Sequence, residues 1–503
     1  MLAKYFSEPI DRAALSLIGF LSAAIAVVGV GHYTCENNNQ CLFANRPKVQ
    51  SFSWDGANLG AQDRAFIMTF DRPIDQREVE KNLVITPALP GKISWAGRRM
   101  AYTLENPIPY GTDYDIQITN VREQYAGQHK SALRGRQGQM IAPFSSSFRS
   151  RDRAFAYIGT QGIEQGRIVF YNLTKQRKTI LTPPGLTVVE FKFYDQGKGI
   201  LFAAAESQLG FEGLRQLQLY QIPVVESDNP QELPKPTLVL DNQEFQNNQF
   251  DVSDDGKAIV VQRVNRQNPA DFDLWIVKNQ QKPERLKVQG GDFQIAPDNQ
   301  SLAVARGEGI GILPLQPEAR PLDFLPKFGQ LLNFSADGSA AALVNFNTED
   351  AQKRFQRTLF FVNNLGVQKE LVDTDGSIVS CEFGRNNQTL YCLLTKLLPG
   401  DEYIEQPYFV QIDINSGEVF PLLKLQDYRD TKMSLSPDGL ALLFDQVIID
   451  PDTPANSRLN TDGGEAIADS QLWLLIPPLK PETGQQAELK ALSLMGFRPL
   501  WAP

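Results

Sequence analysis

Histidine is the scarcest resource in this chain: His32 and His129 are the only two among 503 residues. A Ser-His-Asp triad needs an imidazole base, so that chemistry is excluded from everything beyond residue 129. Histidine-based transition-metal sites are excluded there for the same reason. No Gly-x-Ser-x-Gly elbow occurs either. Gly307-Glu308-Gly309-Ile310-Gly311 is a glycine-rich turn before a strand and lacks the pattern of a phosphate-binding loop. Cysteine is also rare, with four residues and no CxxC spacing, so a redox motif or a zinc site is not expected. Positive charge is in deficit: net charge is -9 and the pI is near 5.1, against a nucleic-acid partner. No cofactor and no metal is expected from these absences. A carboxylate-only reaction in a channel stays open, because Asp and Glu are plentiful and two of them roughly 5–10 Å apart can cleave a glycan.

Charge is missing altogether from Ala13 to Gly31, AALSLIGFLSAAIAVVGVG, a run long enough to cross a bilayer as a helix. Lys4 and Arg12 precede it, and no Lys or Arg follows until Arg46. That bias places residues 1–12 in the cytoplasm and the bulk of the chain outside it, with 13–31 as an uncleaved signal anchor and 32–47 as a polar stalk. Cleavage after Gly29-Val30-Gly31 is the rival reading. Two cysteine pairs fit an oxidising space: Cys35 with Cys41 above the membrane, and Cys381 with Cys392 across a turn, the second pair being equally readable as buried apolar residues. A cluster of Lys and Arg around Arg134, Arg136, Arg149 and Arg151 reads as a solvated linker or, alternatively, a basic patch.

What is abundant is repetition. Leu435-Ser436-Pro437-Asp438-Gly439 returns as Val252-Ser253-Asp254-Asp255-Gly256, Ile295-Ala296-Pro297-Asp298-Asn299 and Phe334-Ser335-Ala336-Asp337-Gly338. Weaker copies begin at Phe193 and Phe383, and an apolar run follows each. A fixed turn with short strands at a period near 40–50 residues is the signature of a propeller blade. The Asp and Gly of each turn have a local job, since Gly supplies positive φ and Asp bonds nearby N–H groups. Recurring Phe193, Phe293, Phe334 and Phe383 are expected between blades. Residues 154–182 carry three strands without a first one, and Gly496 to Pro503 match a first strand. The C-terminus is therefore expected to complete the first of seven blades, leaving no open edge.

Residues 48–150 show short alternating strands separated by turn-formers, the pattern of a β-sandwich. Trp54-Asp55-Gly56-Ala57, Phe70-Asp71-Arg72-Pro73-Ile74-Asp75, Tyr110-Gly111-Thr112-Asp113-Tyr114, Ala126-Gly127 and the closing Phe144 to Phe148 resemble bacterial Ig-like domains of the S-layer type. That resemblance implies a spacer or adhesive unit without chemistry of its own. The Ser-Pro-Asp-Gly phrases of residues 151–503 resemble the TolB-type propeller repeat, which implies a binding role at the rim and channel mouth. Two insertions interrupt the blades, around Asn345, Glu349, Asp350 and Arg357, and around Asp450, Asp452, Asp462 and Glu465; long loops tend to carry function. The acidic one is also the least improbable calcium site, although it lacks EF-hand spacing. The expectation is a mainly β, membrane-anchored, extracytoplasmic scaffold with envelope-protein partners. The alternatives are a carboxylate-based lyase or glycosidase and a glycan- or cell-wall-binding module.

Overall fold

Alternating side chains generate the first unit. In Ala65–Phe70 and Arg99–Leu104 every second residue is buried, which sends Phe66, Met68, Phe70, Met100, Tyr102 and Leu104 to one face. A computed structural model of the chain describes residues 46–503 apart from 62, 125–138, 228, 230–232, 308, 318–319, 321, 401–402, 427–429, 450–458, 479–480 and 482–483. It divides into two units, Met1–Arg151 and Asp152–Pro503. The anchor at 13–31, the stalk to residue 45, Cys35, Cys41, His129, Arg134, Arg136, Asp450 and Asp452 lie outside the described residues. Among the described ones, no helix is long and apolar enough to cross a membrane.

The first unit consists of two four-stranded sheets around one core. One has the order Val49–Phe52, Ala65–Phe70, Arg99–Leu104, Gly91–Ala96; the other Asn58–Leu59, Phe144–Ser150, Asp113–Ile118, Leu83–Thr86. Aromatic rings join the sheets, as Trp54 packs edge-on against Phe66 at 5.1 Å and Phe148 at 5.2 Å, and within the first sheet Phe66 stacks on Tyr102 at 5.0 Å. The strand-only expectation is corrected at Gln76–Asn82, which is a helix. Asp75 caps it, accepting the N–H groups of Arg77 at 3.0 Å and Glu78 at 3.2 Å. Of the basic residues in this unit, Arg149 pairs with Asp113 at 2.7 Å and Arg122 with Glu78 at 3.0 Å, so both are held by carboxylates.

The second unit is built from antiparallel sheets in succession. Five have four strands each and begin at Leu186–Tyr194, Phe245–Val252, Phe293–Ile295, Phe328–Phe334 and Ile378–Phe383. A seven-stranded sheet holds the rest, in the order Arg177–Ile180, Ile168–Asn172, Ala154–Gly159, Glu488–Trp501, Ile467–Ile476, Leu442–Ile449, Met433–Leu435. The C-terminal strand Glu488–Trp501 is its hinge. Residues 488–495 pair with Ile467–Ile476, and residues 496–501 pair with Ala154–Gly159, where Phe497 faces Ile158 and Trp501 faces Phe155. One end of the strand thus serves as the outer strand of the last sheet, and the other as the inner strand of the first.

The repeated turns work by local chemistry. Gly256, Gly338 and Gly439 have φ of 70°, 67° and 72°, and Asn299 and Asn387 take the same place at 57° and 53°. The aspartates hold these turns shut: Asp255 accepts from Ser253 Oγ at 2.8 Å, Asp337 from Ser335 Oγ at 2.7 Å, and Asp298 from the N–H groups of Gln300 and Ser301, both at 2.8 Å. Between sheets the packing is apolar, with Phe409 against Phe444 at 4.8 Å, and within the closing sheet Phe155 packs on Trp501 at 5.3 Å. Cys381 and Cys392 face each other across two strands and form a disulfide within the buried cluster that contains Ile378 and Leu390.

Candidate functional site

Six of the seven inner strands carry a polar residue two positions before the serine place of the turn: Lys192, Asp251, Gln294, Asn333, Glu382 and Ser434. Five of them bond to the next inner strand, and among the described residues Glu382 does not. Lys192 Nζ donates to Asp251 Oδ1 at 2.8 Å, and Asp251 Oδ2 accepts the N–H of Ile295 at 2.6 Å. Gln294 Nε2 donates to Asn333 Oδ1 at 3.2 Å, and Asn333 Nδ2 donates to Glu382 Oε2 at 2.8 Å. Ser434 Oγ accepts the N–H of Trp501 at 3.1 Å. The result is a belt of hydrogen bonds along the inner strands, interrupted between Glu382 and Ser434. Sequence reasoning missed it, although the signal was a polar residue recurring at one place in otherwise apolar strands.

All seven inner strands line one cavity of about 910 Å³, with Glu190, Asp251, Asp292, Gln330, Glu382, Lys432 and Arg498 among its walls. A ring of antiparallel sheets around a central cavity is a β-propeller. Bulges recur in the inner strands, between Val188 and Glu190, Ile378 and Ser380, and Phe497 and Leu500. Such bulges re-aim side chains; Arg498 sits in the last one with φ of 51°.

Where the ring closes, a charged cluster forms. Lys432 Nζ lies 2.6 Å from Asp462 and 2.9 Å from Asp430, and Arg498 pairs with Asp462 and, at 3.8 Å, with Asp430. Burial and Arg498 press on the Lys432 ammonium, but Asp430 and Asp462 outweigh them and raise its pKa. Burial would raise the Asp462 carboxyl, yet Arg498 and Lys432 hold it far below the usual carboxylate range. Behind the cluster, the fully buried Asp445 accepts the backbone N–H of Lys432 at 2.7 Å and of Arg498 at 2.6 Å. Burial pushes its carboxyl up to about 7. Glu382 is likewise pushed by burial up to about 7, with only partial relief from Asn333.

The structure separates the residues of the two insertions. Asp462, expected in a surface loop, joins the cavity wall because Lys432 and Arg498 pair with it. Glu465 is exposed in the same segment. In the other insertion Asn345 accepts the N–H of Asn347 at 2.8 Å, Asp350 accepts that of Gln352 at 2.8 Å, and Glu349 is exposed. Arg357 turns to the neighbouring sheet, donating to the carbonyl of Gly376 and to Ser377 Oγ at 3.1 Å. Ser377 donates in turn to Glu405 at 3.2 Å, which also takes the hydroxyl of Tyr403. These bonds hold two loops beside each other, and each follows the second strand of its sheet. Together they expose Phe355 at 80%, Tyr403 at 72% and Ile404 at 49%. No group of three or more His, Cys, Asp or Glu is placed to share a metal ion among the described residues.

No family model matches the chain, and no curated protein matches it. Solved structures similar to it include an oligogalacturonate lyase in complex with manganese, at 11% identity over 63% of this chain and 84% of that one, with a TM-score of 0.45. TolB from Acinetobacter baumannii is similar at 13% identity over 69% of this chain and 80% of that one, with a TM-score of 0.37. A hypothetical selenium-binding protein from Sulfolobus tokodaii is similar at 11% identity over 70% and 93%, with a TM-score of 0.45.

Proposed function

We propose that this chain is a membrane-tethered, extracytoplasmic binding protein that carries a seven-bladed propeller on an Ig-like spacer and recruits envelope proteins. The observation that carries the reading is the pair of loops presenting Phe355, Tyr403 and Ile404 to solvent. Large aromatic groups exposed together on rigidly seated loops are what protein interfaces use as anchors. Arg354 lies over the Phe355 ring at 4.7 Å and adds a cationic rim. The compartment rests on the uncharged run 13–31 and on the Cys381–Cys392 disulfide, which persists in oxidising surroundings.

Affinity purification from detergent-solubilised membranes tests this. The intact chain should bring down a stoichiometric partner, and the double variant Phe355→Asp, Tyr403→Asp should lose it while melting at an unchanged temperature. Recovery of the intact chain alone would overturn the reading.

A second reading, a carboxylate-based lyase or glycosidase, has one observation in its favour: the cavity wall brings Glu382 and other carboxylates to a common space. It requires turnover of a glycan by the purified protein.

A further inference from the structure

The cavity contains a carboxyl group whose needs the ring does not meet. Asn333 Oδ1 takes two donors, the N–H of Phe334 at 2.9 Å and Gln294 Nε2 at 3.2 Å. Its amide orientation is therefore fixed, and its NH₂ must face Glu382, reaching Oε2 at 2.8 Å. Among the described residues no other hydrogen bond and no ion pair reaches Glu382, so Oε1 is left open in the cavity wall. The cations of that wall are committed elsewhere: Lys192 to Asp251, and Lys432 and Arg498 to Asp462 and Asp430. Asp292, also in the wall, makes no ion pair among the described residues.

A half-buried carboxyl with one amide partner gains most from a charged donor. We propose that the cavity binds an organic cation bearing a primary ammonium group, seated against Oε1 of Glu382. About 910 Å³ is the size of a small-molecule site. Phe193 and Phe293 in the wall give an alkyl chain apolar surface to lie on. Burial pushes the Glu382 carboxyl up to about 7, so an arriving ammonium stabilises the ionised form that burial disfavours. An anion would meet the excess of carboxylates. This site is separate from the loop face, and its fate does not depend on the partner proposed for those loops.

Calorimetric titration of the detergent-solubilised full chain with spermidine should show saturable binding, and Glu382→Gln should weaken it by about tenfold or more. Glu418→Gln, at an exposed position outside the cavity, should leave it unchanged. Titration with Nα-acetyl-lysine amide distinguishes the sources of the ammonium: tighter spermidine binding assigns a free polyamine, and tighter binding of the lysine derivative assigns a lysine side chain. Absence of binding by both compounds overturns the proposal. So does binding that Glu382→Gln leaves intact while its melting temperature matches the wild type.

Discussion

The backbone N–H of Arg498 donates to a carboxylate oxygen of Asp445 at 2.6 Å, joining the C-terminal strand to a carboxyl with no exposed surface. Burial raises the folded pKa of Asp445 to about 7 from an ordinary 3.8. Between those two values the folded chain holds a proton that the unfolded chain has released. Stability therefore falls as pH rises through that window, and the penalty is complete above pH about 7. Its size is on the order of 4 kcal/mol. Asp445→Asn should be less stable than wild type at pH 5, because its NH₂ meets an N–H donor, yet lose most of the decline toward pH 8. Urea unfolding of both proteins at the two pH values decides it, and parallel pH dependences would contradict the assignment.

Ring closure makes a second prediction. Trp501 is 4% exposed and packs on Phe155, 346 residues earlier in the chain. Trp501→Ala should cost about 3–5 kcal/mol, as expected for deleting a buried aromatic. Deleting Gly496 to Pro503 should cost more, because it also strips the edge of Ala154–Gly159 of its partner. A melting temperature unaffected by the deletion would remove the clasp from the account of stability.

The turns are readable in the sequence because positive φ restricts residue choice almost to Gly and Asn, so the constraint leaves a repeated letter. Gly256 and Gly439 are such letters. The polar belt leaves none. Lys192, Asp251, Gln294, Asn333, Glu382 and Ser434 share only polarity and place, because each is matched to a different neighbour and not to a common backbone geometry. Asp462 is exposed, as a loop residue, but its pairing with Lys432 and Arg498 left no mark in the sequence because they are 30 and 36 residues away. The helix Gln76–Asn82 escaped for another reason: with seven residues and one buried side chain, Val79, it expresses no helical period.

Within the belt, Asp251 and Lys192 should not be equivalent. Asp251 accepts from Lys192, from the N–H of Val252 at 2.9 Å and from that of Ile295 at 2.6 Å. Asp251→Ala strands two buried N–H groups and an ammonium that burial disfavours, and should cost about 3–5 kcal/mol. Lys192→Met leaves the carboxylate two of its three donors and should cost about 1–3 kcal/mol. Denaturant midpoints of the two variants give the order directly. A larger loss for Lys192→Met would mean that the ion pair, and not the backbone bridging, joins these sheets.

The disulfide supplies a prediction about the living cell. Cys381 and Cys392 are both buried and lie within one sheet, where they close a short loop of the chain. Cross-linking a loop of this size contributes about 2–3 kcal/mol, mainly by restricting the unfolded chain. Reduction should therefore lower the melting temperature measurably without unfolding the propeller at room temperature, since the surrounding apolar packing remains. Protein taken from its native membrane into an alkylating denaturant should leave this pair unlabelled until a reductant is added. Full labelling without reductant would show thiols in the cell, and it would count against an oxidising compartment while leaving the fold intact. The same experiment thus separates the chain's location from its architecture, which rests on packing between sheets that free thiols at 381 and 392 would also fill.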